Sequence, residues 1–131
     1  MIKKYYKARN DNEFLEQVAR IIFIAGFRYS VVHQKWPYIR KAFDNFSIKK
    51  VANYKERAVK RLMKAPNMIR NEQKIRAIIE NAEICKYVQE GYGSVLNWIE
   101  YLKKENGKHP KDVFLDEEFQ RFKRIGKVTS T

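Results

Sequence analysis

The stretch that decides the fold is Ile69-Arg70-Asn71-Glu72-Gln73-Lys74-Ile75-Arg76-Ala77-Ile78-Ile79-Glu80-Asn81-Ala82-Glu83-Ile84-Cys85-Lys86-Tyr87-Val88-Gln89-Glu90. Ile75, Ile78, Ile79, Ala82, Cys85 and Val88 recur every three or four residues, which places them on one side of a helix and predicts a long amphipathic helix over 69–90. Gly91 and Gly93 follow and are expected to stop it. Working outward, Asn10 or Asp11 with Glu13 starts a helix carrying Phe14, Leu15, Val18, Ile21 and Ile22 up to Gly26. A second helical stretch begins near Ser30 with Val31, Val32, Ile39, Ala42 and Phe43, and Pro37 is expected to divide it into two short helices. Ser47 caps a short turn through Val51, and Lys55 to Lys64 reads as a basic helix ended by Pro66-Asn67. Ser94 caps a helix with Val95, Leu96, Trp98, Ile99 and Leu102, and a last short helix is expected from Asp116 through Phe119 and Phe122. No segment alternates with period two, so the expected fold class is all-α, a compact domain of six to eight short helices over residues 1–131.

Composition agrees with one globular domain. The 131 residues are 44% hydrophobic and 14% aromatic, too rich in Phe, Tyr and Trp for a disordered chain. The longest apolar run, Ile21 to Gly26, falls far short of the roughly 20 residues of a membrane span, and the N-terminus lacks the apolar run of a secretory signal, so no membrane partner is expected and the cytosol is the expected compartment. Cys85 is alone and makes a poor ligand set with His33 and His109, so neither a disulfide framework nor a metal is expected. It lies on the apolar stripe of the long helix, where a core residue without reactivity is expected. The net charge is +13, and it is unevenly spread: residues 1–80 hold 19 basic and 7 acidic side chains, residues 81–120 hold 5 and 8. A polyanion-facing surface would show this asymmetry, and so would a lysine-rich solvated surface.

Three blocks carry a more specific reading: Ala25-Gly26-Phe27-Arg28-Tyr29 with Trp36-Pro37, Arg61 to Asn71 running into Lys74 to Ala82, and Tyr92-Gly93-Ser94. Together they resemble the DNA-3-methyladenine glycosylase I family, an all-helical branch of the helix-hairpin-helix glycosylases, in register from about Asn10 to Leu102. Phe122 to Thr129 more weakly resembles the start of that family's hairpin. The resemblance implies excision of alkylated bases from double-stranded DNA by hydrolysis of the N-glycosidic bond, by a monomer without a cofactor. An alkylated purine is cationic and a good leaving group, so flipping it out, holding it against electron-rich rings and admitting water is most of the task.

The resemblance also assigns residues. Tyr29 falls where the family has a pocket Trp and is the first candidate for stacking on the flipped base, with Tyr5 and Tyr6 near a second family aromatic; ordinary packing or surface roles are the alternative for all three. Arg70, Asn71 and Lys74 open the long helix, where amides and cations would receive a DNA phosphate, unless the two cations belong to a solvated face. Gly126 would permit the tight turn of the hairpin, with Lys127 and Thr129 beside it. His33 lies one turn from both Tyr29 and Trp36 and is of the right type for acid/base work, although with no carboxylate at a fixed spacing to orient it a packed or half-exposed histidine is the favoured reading; Trp36 itself is assigned to the core.

The sequence departs from the family in four places. The family's base-recognising Glu corresponds to Ile21, and the nearest earlier carboxylate is Glu16. The zinc that joins the family's chain ends has no Cys and His set here, so none is expected. Only five residues follow Gly126, so the hairpin, at about 119–131, is expected to be cut short. No Asp stands where relatives that excise neutral bases have a catalytic one, and Asp44, Asp112 and Asp116 read as caps or surface charges. Ile21 and the short hairpin keep open a non-catalytic DNA-binding relative, and the charge alone also suits an RNA or an acidic protein partner.

Overall fold

The computed structural model describes residues 8–106. Asn10 Oδ1 accepts the Glu13 amide at 2.9 Å and so starts α1, Asp11–Ile24, which buries Phe14, Leu15, Val18, Ala19, Ile22 and Phe23 along one side. Gly26 follows with φ at +67°, a left-handed conformation that turns the chain into α2, Tyr29–Ala42. The expected division at Pro37 does not occur: α2 runs through it. Pro37 removes one backbone donor on the exposed outer face, while Trp36 and Ile39, buried on either side of it, hold the helix against the core.

A short 3-10 turn over Asp44–Phe46 reverses the chain with three successive positive φ values, 54°, 56° and 58°. Such a conformation is costly for non-glycine residues. It is held by the burial of Phe46, whose ring stacks on Trp36 at 5.4 Å and on Phe43 at 5.1 Å. Asp44, read from sequence as a cap or surface charge, is half-buried and accepts the Tyr54 hydroxyl.

Helix α3, Ile48–Val51, is capped by Ser47 as expected, with its first amide also taken by Asn12 Oδ1 at 2.9 Å. Helix α4, Glu56–Lys64, keeps the boundaries read from sequence to within one residue. The long helix α5, Glu72–Tyr92, starts three residues later than expected because Asn71 is its cap, accepting the Lys74 amide at 3.0 Å. It also ends later. Gly91 stays helical, and only Gly93, at φ +85°, ends it. Ser94 Oγ then accepts the Asn97 amide at the head of α6, Val95–Asn106.

The helices α1 and α5 pack against one another at the centre, with α3 and α6 against α5 and with α2 and the 3-10 turn against α1. Each fully buried Phe, Leu or Ile contributes on the order of 1.5–3 kcal/mol, and the stripe read on α5 and its counterpart on α1 share the core with Ile39, Phe43, Phe46, Ile48 and Leu62. Among the described residues all regular structure is helical, as the sequence implies. The expected helix from Asp116, the hairpin at 119–131, and Tyr5, Tyr6, Gly126, Lys127 and Thr129 lie outside the described residues.

Candidate nucleic-acid interface

The turn between α1 and α2 places two aromatic rings in solvent. Phe27 and Tyr29 are each 46% exposed on either side of Arg28, which is also exposed. One turn along α2, the His33 ring lies parallel to that of Tyr29, with centroids 6.0 Å apart and 9° between planes. The structure therefore brings Tyr29 and His33 together at an exposed helix end. Among the described residues no carboxylate hydrogen-bonds to His33 to orient it.

Further along the same side of α2, the environment becomes enclosed. Trp36 is 4% exposed, as a core assignment requires. Its indole N–H donates to Glu16 Oε2 at 2.8 Å, Arg40 Nε stands 3.6 Å from Glu16 Oε1, and the Arg20 guanidinium lies 4.7 Å above the indole. Glu16 is thereby committed to Trp36 and Arg40 and does not replace the missing family carboxylate at Ile21. Ile21 itself is half-buried and packs against the core.

Lys74 is not the solvent-facing cation that a phosphate contact calls for. It is 7% exposed, and its Nζ donates to the carbonyl oxygens of Phe23 at 3.0 Å and Ala25 at 2.6 Å. Burial pushes its pKa down, and the two carbonyl dipoles offset part of the cost of keeping the charge. Its ammonium also stands 5.8 Å from the centre of the Phe27 ring. Lys74 thus fixes the turn that displays Phe27 and Tyr29. Asn71 spends its side chain on the α5 cap. Of the three residues read together, Arg70 alone is exposed, with Nη2 3.4 Å from the Ala65 carbonyl oxygen.

Phe27 was missed by the sequence reading, although an aromatic between Gly26 and Arg28 in a turn has no core to enter, and that signal was available. Cys85 is fully buried, and burial, with a smaller contribution from the Asp11 charge, pushes its thiol pKa far up, so it is inert packing as expected. Among the described residues no group of three or more His, Cys, Asp or Glu is placed to hold a metal, and no helix is long and apolar enough to cross a membrane.

The backbone so described is that of the all-helical DNA glycosylases. It superposes on the 3-methyladenine DNA glycosylase I of Staphylococcus aureus with a TM-score of 0.74 at 22% identity, covering 98% of this chain and 80% of that one. A tyrosine-to-phenylalanine variant of 3-methyladenine DNA glycosylase I, solved in complex with 3-methyladenine, gives a TM-score of 0.64 at 21% identity, and this chain spans 57% of its length. A further 3-methyladenine DNA glycosylase I structure gives 0.61 at 24% identity over 75% of this chain. At sequence level residues 5–123 match the methyladenine glycosylase family model, and the chain belongs to that family.

Proposed function

We propose that the protein is a DNA-repair glycosylase of the 3-methyladenine type, acting in the cytosol as a monomer without a cofactor. The observation that carries this reading is the exposed Tyr29 ring, buttressed by His33 just after a turn that Lys74 anchors at Ala25, in a chain of the methyladenine glycosylase family. An exposed aromatic face beside an α-helix start can receive an extruded base by stacking, and it favours a cationic alkylated purine over its neutral parent. The base leaves with the electron pair of the N-glycosidic bond and becomes neutral; the oxygen of water bonds to C1′ of the sugar, and the water's proton passes to solvent or to the free ring nitrogen of His33. Arg70 takes a backbone phosphate at the head of α5. Tyr5 and Tyr6 are proposed to complete the base site, and Gly126, Lys127 and Thr129 to hold a second phosphate.

The experiment is base release from methylated duplex DNA, separated by chromatography, with Tyr29→Ala as control. Release of 3-methyladenine that falls at least tenfold in Tyr29→Ala supports the reading. Ile21 favours a second reading, a DNA-binding relative that has lost base recognition: it would bind damaged and undamaged duplex alike, release nothing, and be indifferent to Tyr29→Ala.

A further inference from the structure

We propose that the exposed face of α4, continued by Arg70, is a second surface for the backbone of duplex DNA, separate from the Tyr29 site. Arg57, Lys60, Arg61 and Lys64 stand at i, i+3, i+4 and i+7, which gathers four cations on one side of a nine-residue helix. All four are exposed, while Val59 and Leu62 on the opposite side are buried. The row is about 10 Å long from the helical rise.

This charge is only partly offset within the fold, by the attraction of Glu56 for Lys60. The one carboxylate of α4, Glu56, is held by the two terminal guanidinium nitrogens of Arg76 at 2.7 and 2.8 Å, and Arg76 Nε holds Glu72 at 2.8 Å. Arg57, Lys60 and Lys64 make no ion pair among the described residues. Arg61 is tethered, with Nη1 on the Ala42 carbonyl oxygen at 3.0 Å and its guanidinium 5.4 Å from the centre of the Tyr54 ring. Arg70 reaches the Ala65 carbonyl oxygen one residue beyond α4, so its charge prolongs the row towards the head of α5.

The occupant follows from what the face lacks. It offers no exposed aromatic ring for unstacked bases, which single strands require, because Tyr54 is half-buried beneath Arg61. Its apolar side is buried in the core, so it has nothing to insert into a lipid surface. A row of exposed cations with no carboxylate at ion-pair distance suits a stiff polyanion with regularly spaced phosphates. Arg61 touches the last residue of α2 and Tyr29 is the first, so the two surfaces are separated by the length of α2, about 20 Å. A duplex that bridges them spans roughly six nucleotide steps.

The test is the binding of the full chain to an undamaged duplex of ~20 base pairs over a series of salt concentrations, for the parent and for Arg57→Gln/Lys60→Gln/Lys64→Gln. Arg61 is left in place because it also holds α2. Loss of three phosphate contacts should flatten the slope of log K against log salt by about 2–3 and weaken binding near 0.1 M salt about a hundredfold. An unchanged slope overturns the proposal, as does a parent that binds no duplex, or one that prefers single strands or binds duplex RNA as tightly as DNA. The proposal shares with the proposed function the premise that the chain binds duplex DNA and the phosphate contact at Arg70, which the triple variant leaves in place. A stripe-dependent slope with no base release would remove the glycosylase reading and leave this one standing.

Discussion

The Lys74 ammonium donates to the Ala25 carbonyl oxygen at 2.6 Å, tying the first turn of α5 to the residue that ends α1. Its second bond, to Phe23 at 3.0 Å, takes up one of the carbonyls that the C-terminus of α1 leaves without a helical partner, and a cation is favoured at that end by the helix dipole. Lys74→Met keeps the length and apolar stem but removes the donor. It should lower stability by about 1–3 kcal/mol, read as an earlier midpoint in urea with an unchanged slope. An unchanged midpoint would mean that solvent satisfies these carbonyls as well as Lys74 does.

Lys74 also shows where sequence reading stops. Read from sequence it is a phosphate contact or a solvated cation, although its position one turn before Ile78 on the same stripe as Cys85 directs it inward. Its partners lie 49 and 51 residues away, and no local pattern announces them. The caps at Asn10, Ser47 and Ser94 were legible because each is a contact three residues long. Pro37 and Gly91 misled for the converse reason: both are weak helix residues locally, and each is overruled by burial of neighbours such as Trp36, Ile39 and Val88. At the site, the family blocks pointed to Tyr29, while the exposure of Phe27, signalled by its place between Gly26 and Arg28, was passed over.

Asp11 joins the start of α1 to the start of α6. Its carboxylate accepts the amides of Val95 at 2.9 Å and Leu96 at 3.2 Å and the Gln89 side chain at 2.8 Å. It acts as a cap supplied from 84 residues away, with its charge well placed at a helix N-terminus. Asp11→Ala should cost roughly 2 kcal/mol, and amide exchange at Val95 and Leu96 should accelerate more than exchange in α3. Uniform acceleration along the chain would show that the carboxylate adds only to global stability.

The Tyr54 hydroxyl donates to Asp44, and burial, this bond and the Asp44 charge together raise the phenol pKa above its ordinary value near 10. The folded chain therefore keeps a proton that the unfolded chain releases. Its contribution is complete below about pH 10 and is lost as pH rises through the higher folded value. Parent stability should decline in alkali, and Tyr54→Phe should lose that part of the decline while being about 1–3 kcal/mol less stable at neutral pH. Equal alkaline decline in both proteins would assign it to other groups.

Ile21 gives the sharpest test of how the base is read. The resemblance places a base-recognising carboxylate there, and the nearest earlier acid, Glu16, is engaged by Trp36 and Arg40. Ile21→Glu supplies an acceptor for the edge of a cationic base, and a charge-assisted bond of about 1.5–3 kcal/mol made in the transition state corresponds to a roughly 10- to 100-fold gain in kcat/KM for 3-methyladenine release. The variant should also melt earlier, since Ile21 packs against the core and a half-buried carboxylate loses hydration. A parent that releases base through Tyr29 with no gain in Ile21→Glu would place edge recognition on another group. Release by Ile21→Glu alone would mean that the parent retains the stacking ring and the fold, and that one missing carboxylate separates it from an active glycosylase.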